Sequence, residues 1–376
     1  MTELNLSSGA SYFRSPDVAV TAAIKALNAG QTYYGPAEGT AELRQAIVER
    51  YQQYGITIRP GQVLVTPGTK QALFNLFSVL LRDGDEVVIP IPAWFGFNEL
   101  LKYSKGNLVT VPTALEANYS LDMGAVRSKL TAKSRILLLT NPANPTGRIY
   151  SKQELETIVA LLHDFPDLYL ISDEIYDLDT YGEPVTSALG CKGPQERIIV
   201  VNGFSKNFAM SGWRIGYMVA PKEIIEQSTD FQSSTFSGVS MFIQEAALAT
   251  ITHKTESLEP MLHVLQEHLR VMQQGLEAIP HVSFFVPDGA YYFFPYLGHY
   301  IGTVTTSGAT INSTEDLCKY LQNEHKLIVV NGDKFGGSGH VRMSFAVERP
   351  ILDQAMSRLK EALLQLKPAT ATIGKL

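Results

Sequence analysis

The stretch Asn202–Tyr217, NGFSKNFAMSGWRIGY, sets a single lysine, Lys206, among Phe204, Phe208, Met210 and Trp213, with Arg214 following. A lysine amine acts as nucleophile or base only if it sheds its proton near neutral pH, and desolvation together with neighbouring cations brings this about. The apolar neighbours and Arg214 are the expected sources of both effects. A serine–lysine pair alone says little, because Lys105 and Lys152 also follow serine and a lysine that snorkels to the surface is the ordinary alternative. Asp173, in LYLISDEIY, is the second reactive group. An ionised carboxylate at the end of a buried strand needs a cationic partner, although a helix cap or a structural ion pair would also account for it. Tyr176 follows three residues later and has simple packing as its alternative. Asn144 sits in NPANPTG, where a plain Pro-Asx turn is the competing explanation. Gly68, Thr69 and Lys70 follow VLVTP; at a strand-to-helix junction their N–H groups either receive a phosphate or merely turn the chain. Trp94, in PIPAWFGF, is a stacking surface or a core aromatic.

The elements that must carry these residues alternate. QVLVTPG, DEVVIPIP, RILLLTNP, LYLISDEIY and RIIVVNGFS read as strands, and the continuous apolar runs among them fit strands covered on both faces. TKQALFNLFSVLLRDG has helical spacing with a stop at Gly84. SKQELETIVALLHDF opens on a capping box, Ser151 and Glu154, and carries Leu155, Ile158, Val159 and Leu162 as one stripe. Strands alternating with helices predict an α/β protein with a mainly parallel sheet. Ligands of such sheets lie beyond the carboxyl ends of the strands. NPANPTG, DEIY and NGFSK each follow an apolar run, on that edge. The last third, with HVSFFVP, AYYFFPYL, KLIVVNG and HVRMSFA as strands and two helices, reads as a separate α+β layer. Met241–Leu276 is expected to connect the parts, GHYIGTVTTSGATINS to form a long loop, and the tail KPATATIGKL to be loose.

The 376 residues favour two packed units over one. A net charge of −6 argues against a nucleic-acid groove or a polybasic membrane contact. Two scattered cysteines, Cys191 and Cys318, read as incidental thiols of a reducing compartment. No signal peptide or spanning segment is visible, so the cytoplasm is the expected location. The eight histidines form no HExxH, and no metal is expected. No G-x-S-x-G elbow or strand-borne G-x-G-x-x-G occurs.

Taken together, the reactive residues ask for one ligand with a phosphate, a ring nitrogen that wants a carboxylate, a carbonyl that wants an amine, and a flat face. Pyridoxal phosphate has all four. The run GFSKNFAMSGWRIG resembles the lysine signature of class I, fold-type I, pyridoxal-phosphate-dependent aminotransferases. The order YYGPAEG, PGTKQALFNL, NPANPTG, SDEIY, SKNFAMSGWRIGY and HVRMSFA is similar to that family along almost the whole chain, and looks closest to the bacterial aspartate aminotransferase branch.

The resemblance implies a large domain, residues 36–268, with a mainly parallel seven-stranded sheet between helices. It implies a smaller α+β domain made of residues 1–35 and 269–376. It assigns Lys206 to covalent cofactor attachment and proton transfer, Asp173 to the pyridine nitrogen, and Tyr176 and Asn144 to the phenolic oxygen. Arg214, Gly68, Thr69, Lys70 and Ser205 go to the phosphate, and Trp94 to the ring face. Tyr34 would reach the partner subunit's phosphate, which implies a homodimer with composite sites. Arg342 would clamp the substrate α-carboxylate, with Gly9, Asn144 and Trp94 nearby. The implied reaction moves an amino group from an L-amino acid, aspartate first, to 2-oxoglutarate by a ping-pong course. Transamination of aromatic or other neutral amino acids and C–S β-elimination are the alternatives. A ligand-sensing regulator built on the same fold would need a basic DNA-binding module. Four departures stand out. Gly203 occupies a position where many members have a phosphate-binding serine, and SSGASYF replaces GEPDF-like wording. Asn331 stands for a proline, with little expected consequence. No residue matches the second-subunit arginine of some aspartate-specific members, which leaves Lys70 as the available cation.

Overall fold

The computed structural model describes residues 2–368. After the short β1 (Leu4–Asn5), seven strands form the main sheet: β2 (Val63–Thr66), β3 (Glu86–Ile91), β4 (Asn107–Pro112), β5 (Ser134–Thr140), β6 (Tyr169–Asp173), β7 (Ile198–Gly203) and β8 (Gly216–Val219). Their order is β2-β8-β7-β6-β5-β3-β4. Only β8 runs against its neighbours, and the other pairings are parallel. This is the expected α/β, fold-type I architecture.

The apolar runs are continuous because both sheet faces are covered. Side chains alternate across a strand, so Leu137 and Leu139 of β5 enter one core while Ile136 and Leu138 enter the other. The helix Lys152–Asp164 gives Leu155, Ile158, Val159 and Leu162 to the first core. Its capping box is formed: Ser151 Oγ accepts from the Glu154 N–H at 3.2 Å, and Glu154 Oε2 accepts from the Ser151 N–H at 2.9 Å. The helix Thr69–Leu80 gives Leu73, Leu76 and Phe77 to the second core. It ends four residues before Gly84, which instead turns the chain into β3 with φ +89°. β4 and β8, hidden in GNLVTVP and WRIGYMVA, were not foreseen as strands.

The C-terminal part is less regular than its composition implies. Its strands are β9 (Tyr292–Phe293), β10 (Thr303–Val304), β11 (Leu327–Ile328), β12 (Val330–Asn331), β13 (Val341–Ser344) and β14 (Lys367–Pro368). HVSFFVP forms no strand; Ser283 makes only an isolated bridge to Tyr296. The supposed long loop contains β10, which pairs with β14. The start of the tail is therefore paired rather than loose, and residues 369–376 lie outside the described residues. The expected connector is two helices, Met241–Thr252 and Lys254–Glu277. β1 pairs in parallel with β11, which brings the N-terminal segment beside the C-terminal strands.

Candidate active site

The strand register builds the site. Thr140 at the end of β5 pairs with Asp173 at the end of β6, and β7 ends beside them at Gly203. The segments that follow carry Asn144, Tyr176 and Lys206 to one sheet edge. They line a cleft of about 770 Å³ together with Gly9, Thr69, Lys70, Trp94, Ser205, Arg214 and Arg342. Every expected site residue except Gly68 and Tyr34 lines this cleft. Gly68 caps the helix Thr69–Leu80 at its edge. Tyr34 is 88% exposed and does not line the cleft of its own chain.

Phe204, Phe208 and Met210 are buried as expected, whereas Trp213 is half-buried and donates its indole N–H to Ser15 Oγ at 2.9 Å. Burial, then the charge of Arg342, lowers Lys206 to about 8, with Lys70 adding to the fall and Asp173 and Asp179 opposing it. Arg342 and Lys70, not Arg214, are therefore the cations that act on the amine. Lys206 Nζ donates to the Gly9 carbonyl at 2.5 Å, which also accepts from the Tyr291 and Tyr292 hydroxyls at 3.0 and 3.1 Å. Asp173 is buried, and among the described residues the one hydrogen bond to its carboxyl is a long one from the Ile175 N–H, 3.4 Å. Burial raises its carboxyl to about 7, against the pull of that bond and of Lys206. A carboxyl so poorly compensated suits a ligand that brings a protonated nitrogen.

Arg342 is 5% exposed. It donates to Asn144 Oδ1 at 3.2 Å and to the Ser7 carbonyl at 2.9 Å, and stands 4.4 Å over the Tyr292 ring. Its Nε is buried with no hydrogen-bond partner among the described residues, and a carboxylate oxygen would satisfy it. SSGASYF thus supplies a backbone acceptor for the arginine. Tyr176 shares a 3.0 Å hydrogen bond with Tyr292. Tyr292 is the functional neighbour that sequence reasoning missed; the paired tyrosines of AYYFFPYL were its only signal. Ser7, Ser211 and Thr140 also line the cleft unforeseen, and Thr140 Oγ1 is buried without a partner.

At the other end, Gly68 has φ +86°, and a Cβ there would stand 2.5 Å from Arg214 Nη2. The positive φ favours glycine, and the missing Cβ leaves room for the guanidinium beside the backbone. Arg214 itself adopts φ +55°, a backbone strain typical of functional positions. It is held by the Ser211 carbonyl at 2.9 Å and the Pro67 carbonyl at 3.3 Å. Gly203 pairs with Gly216, and a Cβ on it would meet the Gly216 Cα at 2.8 Å. A serine does not fit there, which leaves Ser205 and Ser211 as the hydroxyls at this end. Trp94 forms a wall, with Lys70 Nζ 5.2 Å from its ring. Asn331 does more than replace a proline: its Oδ1 caps the turn Gly332–Phe335 by accepting from the Asp333 N–H at 2.9 Å. The donor set fits pyridoxal phosphate: an amine, a carboxyl in need of a cation, a flat wall, and a glycine-lined helix start beside an arginine.

Residues 2–359 match the family model described as aminotransferase class I and II. The chain is 35% identical over 374 residues to the aspartate aminotransferase of Pinus pinaster, covering 98% of this chain and 76% of that protein. Among solved structures it is similar to the aspartate aminotransferase of Rhizobium meliloti, with a TM-score of 0.94, 32% identity, and coverage of 97% and 92% of the two chains. The aromatic aminotransferase of Pyrococcus horikoshii OT3 superposes with a TM-score of 0.90 at 33% identity, covering 96% of each chain.

Proposed function

The chain belongs to the class I and II aminotransferases, and from that premise we propose that its amino donor is aspartate and its acceptor 2-oxoglutarate. It is a pyridoxal-phosphate-dependent transaminase. The observation that carries the reading is the meeting, in one cleft, of an amine lowered to about 8 and an arginine with a free buried Nε.

When bound, the cofactor supplies an electron sink for the carbanion formed at the substrate Cα. Lys206 attaches it and then carries the proton from Cα; an amine near 8 is partly neutral at working pH and so able to accept one. Asp173 holds the proton on the ring nitrogen. Tyr176 and Asn144 orient the phenolic oxygen, Trp94 covers the ring, and Arg214, Thr69 and Ser205 hold the phosphate at the helix start. Arg342 fixes the α-carboxylate of any amino acid, so it does not choose among them. Lys70 is the proposed partner of the distal carboxylate. It is exposed in the cleft and has no ion-pair partner among the described residues. The names of the similar proteins from Pinus pinaster and Rhizobium meliloti support aspartate, and that from Pyrococcus horikoshii OT3 supports the aromatic alternative.

The large unit is residues 36–268, and the small one residues 1–35 with 269–376. The working form is a cytoplasmic homodimer in which Tyr34 serves the neighbouring site. Tyr33 and Tyr34, 63% and 88% exposed, support such a contact, and the free thiols of Cys191 and Cys318 support a reducing compartment. The test is borohydride reduction followed by peptide mass analysis, with a donor panel against 2-oxoglutarate. A cofactor adduct on Lys206 and fastest transfer from aspartate are expected. No adduct would overturn the site; release of homocysteine, pyruvate and ammonia from cystathionine with no amino transfer would replace transamination by β-elimination.

A further inference from the structure

Asn207 stands directly after Lys206 and is fully buried. A buried primary amide is costly unless both of its ends find partners, and here both do. Its Nδ2 donates to Asp177 Oδ1 at 2.7 Å, and its Oδ1 accepts from the Leu178 N–H at 3.3 Å. No other side chain of that size offers a donor and an acceptor in one plane. Aspartate would set a second carboxylate against Asp177, and leucine would leave both partners unmatched.

The amide is fixed from behind. Asp177 Oδ2 pairs with Arg50 Nη2 at 2.5 Å, and Arg50 Nη1 donates to the Tyr217 hydroxyl at 2.8 Å. Arg50, 3% exposed, comes from the helix Ala41–Gln52, and Tyr217 from β8. Exchanging a buried ion pair for apolar residues of similar volume often costs nothing in stability, so fixing position is the better account of this one. What it fixes is the spacing of two segments. Residues 174–181 follow β6 and carry Tyr176, and residues 204–210 follow β7 and carry Lys206. Among the described residues the two bonds of the Asn207 amide are the only hydrogen bonds that join these segments. The Lys206 backbone itself makes one, within its own turn: its carbonyl accepts from the Ala209 N–H at 3.2 Å.

We propose that Asn207 is a positioning residue that acts through Lys206: by tying the lysine turn to the segment of Tyr176, backed by Asp177 and Arg50, it sets where the Lys206 amine stands in the cleft. This deepens the assignment of Lys206 made above and rests on it. The amine must meet the substrate Cα at a bonding approach, and a displacement of about 1 Å there can cost about a hundredfold in rate. Residue 207 shares a planar peptide bond with Lys206, so a shift of the amide passes directly to the lysine. Its contacts are made on the side of the chain away from substrate, which leaves the chemistry of the amine itself untouched.

The test compares Asn207→Ala, Asn207→Asp and Asp177→Asn with the wild type, all loaded with pyridoxal phosphate. Borohydride reduction and peptide mass analysis should find the adduct on Lys206 in each. The visible circular dichroism per bound cofactor, which reports how rigidly the ring is held against its surroundings, should fall by about twofold or more. The single-turnover rate with the best amino donor of a panel should fall by about tenfold or more. Deuterium at the donor Cα should slow the variants more than the wild type, because proton transfer to Lys206 has become the slower step. Loaded variants with wild-type dichroism and a wild-type isotope effect would overturn the proposal, even with a lower rate, since that loss would mean only fewer folded molecules. Failure of all three variants to bind cofactor would overturn it too, because Asn207 would then serve the fold. If Lys206 were wrongly assigned, the wild type would show no reducible adduct on Lys206, an outcome distinct from unchanged variants.

Discussion

Replacing Asp173 by asparagine should make the cofactor-free protein more stable at pH 8 and disable the loaded enzyme. The carboxyl is held at about 7 instead of 3.8, by burial that one long backbone hydrogen bond and the charge of Lys206 only partly offset. Below pH 4 it is protonated in the folded and unfolded chains alike and costs nothing. Between pH 4 and 7 only the unfolded chain releases the proton, so stability falls as pH rises. Above 7 the penalty is complete, about three units at 1.4 kcal/mol each, or about 4 kcal/mol. Asparagine does not titrate, so its advantage over aspartate should grow by about 3 kcal/mol between pH 5 and pH 8. An amide with one weak partner carries its own cost, which lowers the advantage by the same amount at both pH values. Glu174, also raised to about 7 by burial, is present in both proteins and cancels. With cofactor the order reverses, since the aspartate then meets the ring nitrogen's proton. The rate should fall by several orders of magnitude, because a sink without its counter-charge stabilises the carbanion poorly. Urea unfolding at pH 5 and pH 8, with and without pyridoxal phosphate, and single-turnover rates provide the measurements. An asparagine variant with the same advantage at both pH values, or with near-wild-type turnover, would refute the reasoning.

Two further expectations concern specificity and assembly. Lys70→Ala should weaken aspartate and 2-oxoglutarate at least tenfold more than alanine or phenylalanine, read as kcat/KM across donors. A uniform loss would assign Lys70 to the phosphate, where its place at the helix start also puts it. Mixing Tyr34→Phe with Lys206→Ala protein should give hybrid dimers whose activity departs from the mean of the parents; strict averaging would rule out shared sites.

Much of this site was legible in the sequence because its groups sit at the ends of strands whose apolar runs are local patterns. Lys206, Asp173, Asn144 and Trp94 each follow such a run, and the strand register then had only to align them. Gly68 and Arg214 were legible as types, while the reason for the glycine, a guanidinium packed against it, was not. The C-terminal strands were overestimated because aromatic and β-branched residues there also pack as half-buried coil, as Val282, Phe284 and Phe285 of HVSFFVP do.

The amino-acid sequence by itself determined the alternation of strands and helices, the two-faced burial of β5 to β7, and the position of reactive residues after them. Those follow from periodicity and chain stiffness over a few residues. The tertiary structure decided that Gly9 meets Lys206 across 197 positions, that Ser7 meets Arg342 across 335, and that Tyr292 links Arg342 to Tyr176. It also decided that Asp179 is fully buried. The driving force for burial is non-directional, so a side chain's local pattern states that it goes inside, while its partners are chosen by how the whole sheet and its flanking segments close over it.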